Sequence, residues 1–203
     1  MTASGGFFGK IPARGDFVRA GLPAGFVAAW DSWFQDVIAR SRTLMGSDWV
    51  PAWLEAPVWR FALDPSVCGA DPVLGVWMPS VDRAGRHFPL TLAAVVPGAT
   101  ADGLAERGGA WLDAAERAGL EAVTADATPE WLASALNEAP DLTDGEAAPF
   151  GAETIALSAG TSQWWTEGSP RVATRSLRIS GLPDGVTFAA MLDDRIGGEP
   201  QCP

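Results

Sequence analysis

The sequence predicts an α+β domain, a largely antiparallel β-sheet flanked by α-helices. Short apolar runs at 59–63, 73–78 and 88–96 follow one another at intervals too short for crossover helices, the mark of an antiparallel meander. Stripes of helical period lie on both sides of those runs, at 23–42 and from 100 onward. A chain of 203 residues, 47% of them apolar, can also bury one well-formed core. Residues 1–197 are read as a single domain and 198–203 as a frayed tail.

In chain order, residues 5–9 read as a short first strand. The clearest helix spans 23–42. Pro23 suits its first turn, and Phe26, Val27, Trp30, Trp33, Phe34, Val37 and Ile38 form one broad apolar stripe. Trp49, Pro51, Trp53 and Leu54 suggest an irregular linker or a short turn of helix. Of the three strands that follow, 59–63 alternates like a half-covered strand, 73–78 is almost wholly apolar, and 88–96 carries Pro89 near its start, where a missing N–H does least harm. The period then changes. A helix is expected over 100–118, with Leu104, Trp111, Leu112 and Ala115 on one side and Gly119 as its stop. Thr128-Pro129-Glu130 is a helix start leading into Trp131, Leu132, Ala135 and Leu136. An acidic loop over 140–151, strands at 154–158 and 174–179, and a short helix at 188–192 complete the reading.

Charge narrows the classes of function. The net charge of −11 is concentrated: 102–153 holds twelve acids against Arg107 and Arg117, whereas acids and bases cancel over 1–101. Nucleic-acid binding is not expected, because neutralising phosphates requires clustered Lys and Arg, and Lys10 is the single lysine. The acidic middle reads as a solvated helical face, or as a surface for a basic partner. No run approaches the roughly 20 apolar residues of a membrane span. The first six residues lack the basic start and apolar stretch of a signal peptide, so membrane insertion is not expected and a cytoplasmic location is. Cys68 and Cys202 read as two free thiols, which agrees with that location.

The residues with reactive side chains suggest recognition surfaces rather than a reaction centre. His87 is the one histidine and directly precedes an apolar strand. With two ill-spaced cysteines it cannot build a zinc site or a triad. Neither phosphate-loop spacing is present, and Asp193-Asp194 reads as a solvated pair at a helix end. The sequence therefore predicts no catalytic residues and no cofactor or metal.

Two segments instead set charges beside Gly or Pro: Phe7 to Phe17, which contains Arg14-Gly15-Asp16, and Met78 to Leu90, which contains Asp82, Arg83 and Arg86. Turns of that make-up hold side chains at fixed angles, either bracing the fold by ion pairs or contacting a partner. Of the 10 Trp, most occupy core-periodic positions. Trp164 and Trp165 are adjacent, in a loop-like stretch that runs on to Glu167. On an extended chain their rings point different ways, so one is expected in the core and the other at the surface, where Trp serves as a binding hot spot.

The opening F-F-G-K-I-P-A-R-G-D-F-V-R, W-D-S-W-F-Q, P-V-W-R-F-A-L, G-V-W-M-P-S-V-D-R-A-G-R-H-F-P-L-T-L, S-Q-W-W-T-E-G-S and G-L-P-D-G-V-T-F-A-A-M-L occur in series from about Gly6 to Asp193. Together they resemble TagF, a family of type VI secretion-associated proteins. The resemblance implies a cytosolic, non-enzymatic accessory protein that represses assembly of the secretion machine post-translationally, through its forkhead-associated scaffold protein. A structural or assembly component of the same apparatus is the alternative. The motif positions are Arg14, Asp16, Asp82, Arg83, Arg86, Trp164, Trp165 and Glu167.

Overall fold

In the computed structural model, which describes residues 4–125, 127–142 and 160–196, a seven-stranded sheet separates two layers of helices. The strands are β1 (Ser4–Gly9), β2 (Val18–Ala20), β3 (Trp59–Leu63), β4 (Val73–Met78), β5 (Leu90–Val95), β6 (Thr161–Thr166) and β7 (Arg175–Ser180). Their spatial order is β2-β1-β5-β4-β3-β6-β7, with every pairing antiparallel. The α+β class and the β3-β4-β5 meander are therefore as predicted.

Alternation along the central strands sends side chains into two cores. One layer comprises α1 (Ala24–Met45), α2 (Trp49–Glu55) and α6 (Gly185–Leu192). It packs Trp30, Phe34, Trp53 and Phe188 against Trp59, Phe61, Trp77 and Trp164. The other comprises α3 (Ala101–Arg107), α4 (Gly109–Thr124) and α5 (Pro129–Asn137). It packs Leu104, Leu112 and Leu132 against Leu74, Val76 and Leu92. Because helices cover both faces, β4 is buried at every position and reads as a continuous apolar run.

Most local signals act as expected. Thr128 caps α5 by accepting the Trp131 N–H at 3.2 Å, and the segment around Trp49–Leu54 is the helix α2. Pro23 stands one step earlier than predicted, as the extended residue that caps α1, and that helix continues to Met45.

The expected 100–118 helix is two helices, α3 and α4, divided at Gly108. Gly119 does not stop α4 but lies buried inside it. A Cβ there would fall 2.4 Å from Met78 Cε and 3.0 Å from Leu92 Cδ1, so glycine lets the helix lie close on the sheet. β2 was not anticipated. The stretch around Trp164 is strand β6 rather than a loop. The strand expected at 154–158, the acidic loop beyond residue 142 and the tail after 197 lie outside the described residues.

Candidate functional site

The two Arg/Asp segments meet at one end of the sheet. β1 pairs with β5, setting Gly9 opposite Leu90, so the segment leaving β1 runs beside the connection between β4 and β5. Backbone bonds fasten them: Lys10 N–H donates to Pro89 O at 3.3 Å, and Arg83 N–H to Arg14 O at 2.9 Å. The Ser80 hydroxyl adds a bond to Lys10 O at 2.7 Å. The second segment turns tightly at Gly85, whose φ of +77° favours glycine.

Asp82 is the hub of this arrangement. Its side chain is fully buried and accepts the Lys10 ammonium at 2.9 Å and Arg86 Nε at 2.7 Å. It also accepts the backbone N–H groups of Ala84 and Arg86, each at 2.9 Å. Burial alone would raise its pKa. The Arg86 N–H and the Lys10 and Arg86 side chains outweigh that and hold the carboxyl well below the usual carboxylate range.

The other predicted residues of this cluster face outward. Arg14 is exposed and lies 3.7 Å from Glu130 Oε2. Asp16 is exposed and accepts the Phe17 N–H at 2.8 Å. Arg83 is exposed too, and a Cβ on Gly15 would lie 3.8 Å from its Nη2. Arg86 Nη2 donates to the Gly15 carbonyl. The guanidinium groups of Arg83 and Arg86 thus lie against Gly15, that of Arg14 points towards Glu130, and among the described residues no acid pairs with Arg83. On the first of these segments Phe17 is 43% exposed, its inner face stacked on Phe8 at 5.4 Å and set edge-on to Phe88 at 4.8 Å.

Trp164, Trp165 and Glu167 do not join this cluster. They lie on β6 and the turn after it. Trp164 is fully buried among Trp30, Trp33 and Phe61. Trp165 is half-buried on the opposite face, beside Arg60 in register. Glu167 is exposed, and its carbonyl accepts the Thr174 hydroxyl at 2.6 Å.

A second acid-centred network was missed by sequence reasoning and corrects the solvated reading of Asp193-Asp194. Asp193 is 1% exposed. It takes bonds from the side chains of Arg195 and Arg171, and Arg171 also holds Glu55 at 2.6 Å. Those bonds, Arg195 foremost, depress its pKa despite burial. Asp194 pairs with Arg175 at 2.8 Å. The only signal in the chain is an Asp-Asp-Arg run far from Arg171, too common to single out. Part of the acidic middle is similarly engaged: Arg60 reaches from β3 to Asp113 at 2.7 Å and Glu116 at 2.8 Å on α4.

Candidate reactive groups are otherwise occupied. His87 sets its ring edge-on to Trp49 and Trp53, and burial followed by the Arg42 charge lowers its pKa. Burial pushes the Cys68 thiol up to about 12. Among the described residues, no three His, Cys, Asp or Glu side chains gather closely enough to hold a metal ion, and no helix is long and apolar enough to cross a membrane.

Comparison with known proteins places this architecture. No match is found among curated proteins. The crystal structure of PA0076 from Pseudomonas aeruginosa PAO1 aligns with 98% of this chain and 99% of that one, at 32% identity and a TM-score of 0.79. The family described as "TagF N-terminal domain, Type VI secretion system-associated" matches residues 6–139, which span β1 to the end of α5 and so include both segments converging on Asp82. The chain belongs to the TagF family of type VI secretion system-associated proteins.

Proposed function

We propose that this protein is a cytoplasmic, non-enzymatic regulator that represses type VI secretion post-translationally, by occupying the forkhead-associated scaffold protein of the apparatus. The observation that carries the reading is the loop pair around Asp82. Family motifs there build a rigid, outward-facing surface of arginines and one aromatic ring, the composition that dominates protein–protein hot spots. Contact rather than bond-making is further supported by the candidate reactive groups. His87 is wedged against two tryptophans, Cys68 is held as a thiol, and the Ser80 hydroxyl donates to a backbone carbonyl.

The test is co-purification with the scaffold at micromolar concentration, paired with deletion of the gene in its host. A repressor binds the scaffold, and its loss raises secretion. Absence of binding together with unchanged secretion overturns the proposal. Loss of secretion on deletion would identify an assembly component instead.

A further inference from the structure

We propose that the surface formed by Arg14, Phe17 and Arg83 is where the partner docks, and that the partner meets it with a carboxylate-rich protein surface. This rests on the regulatory reading above and adds the site and its chemistry.

Donor capacity comes first. Asp82 is already bonded to Lys10, Arg86 and two backbone N–H groups, so it has little left to offer the neighbouring arginines. Arg83 has no acid partner among the described residues. Arg14 has only a 3.7 Å approach to Glu130, beyond hydrogen-bond length, with both side chains at least half exposed. Two guanidinium forks therefore face solvent with free N–H groups, a geometry that matches carboxylates bidentately.

Preorganisation comes second. The Arg83–Arg14 backbone bond, the Arg86–Gly15 bond and the Asp82 hub hold both loops before any partner arrives, which lowers the ordering cost of binding. Phe17 adds an exposed apolar ring on the Arg14 segment, with its inner face already fixed by Phe8 and Phe88.

Charge complementarity comes third. The molecule carries −11 overall, most of it on 102–153. An acidic partner is repelled by that quarter of the chain and drawn to exposed cations outside it, which favours the face that carries Arg14 and Arg83.

The experiment is titration of the purified scaffold protein with wild type, with the Arg14→Glu/Arg83→Glu pair, and with Arg107→Glu/Arg117→Glu. The last pair makes the same charge change on α3 and α4. Docking at the loops predicts that the first pair raises Kd roughly a hundredfold and flattens the salt dependence while its melting temperature stays at the wild-type value, and that the second pair binds much more nearly like wild type. Equal loss in both pairs, or a Kd within about twofold in the first (roughly 0.4 kcal/mol), overturns the proposal.

If wild type does not bind the scaffold, the regulatory reading falls, and a Glu-rich peptide containing one Leu then tests the docking chemistry alone. Backbone NMR shifts confined to residues 14–17 and 82–86, abolished by the Arg14→Glu/Arg83→Glu pair, would sustain it. Shifts that are absent or scattered over the surface would overturn it.

Discussion

Asp82 and Asp193 are both buried aspartates, both stand at the same end of the sheet, and both are held by basic side chains, yet the cations that hold them differ in exposure. Asp82 is paired with exposed Arg86 but also with Lys10, whose side chain is 8% exposed and whose ammonium lies 5.1 Å from the centre of the Phe17 ring. Asp193 is paired with Arg171 and Arg195, whose side chains are 21% and 69% exposed. Removing the acid strands a buried ammonium in the first case. In the second it releases guanidinium groups that can turn to water or, for Arg171, keep Glu55. The same residue type at the same end of one sheet thus closes a core in one place and clamps a surface seam in the other. What decides is how accessible the cation is.

The largest effect that tests this contrast is in stability. Asp82→Ala should cost about 3–5 kcal/mol, the range for breaking a buried pair and leaving one charge alone. Asp193→Ala should cost about 1–3 kcal/mol, the range for unsatisfied polar groups that partly rehydrate. Urea unfolding of both variants measures the difference. Equal costs would mean that the exposure of the cation does not govern either network.

A smaller effect follows in acid. Both carboxyls titrate below their unfolded value of about 3.9. A depressed carboxylate contributes stability that is fully present above the unfolded value and is lost as pH falls through the folded one. Wild type should therefore lose melting temperature steeply below about pH 4. The Asp82→Asn/Asp193→Asn protein should start lower at neutral pH and fall less. Parallel melting curves for the two proteins from pH 6 to acid, checked by circular dichroism, would contradict the assignment of those bonds to the ionised acids.

The two networks also mark how much the chain discloses of itself. Asp82, Arg83, Arg86, Arg14 and Asp16 were legible because turn-forming Gly and Pro gather them into two short segments, and strand pairing then joins the segments. Asp193 was not, because its partner Arg171 comes from a β-connection and is shared with Glu55 on a distant helix, and two adjacent acids at a helix end ordinarily face water. β6 was misread for a related reason. Its buried face alternates Ser162, Trp164 and Thr166, and the two hydroxyls tolerate burial by donating to the carbonyls of Gly181 and Val58. A polar residue satisfied by a distant carbonyl looks like a loop residue in the sequence. Gly119 shows the converse, since a glycine that permits helix–sheet contact has the same letter as one that ends a helix. The α1 stripe and the Thr128 cap needed no distant partner and were read correctly.

The finest test ranks the arginines. Arg171 joins Asp193 to Glu55 and so ties the segment after β6 to α2, and its backbone N–H bonds Ser169 at 3.2 Å. Arg195 touches Asp193 alone among these acids. Arg83 bonds through its backbone, which a side-chain truncation leaves in place. Arg171→Ala should therefore lower the melting temperature most, Arg195→Ala less, and Arg83→Ala by no more than an ordinary surface change, within about 0.5 kcal/mol. Differential scanning calorimetry of the three proteins gives the order directly. If Arg83→Ala destabilised as much as Arg171→Ala, its guanidinium would be a brace like the others, and the surface around Gly15 would lose the free donor on which partner recognition depends.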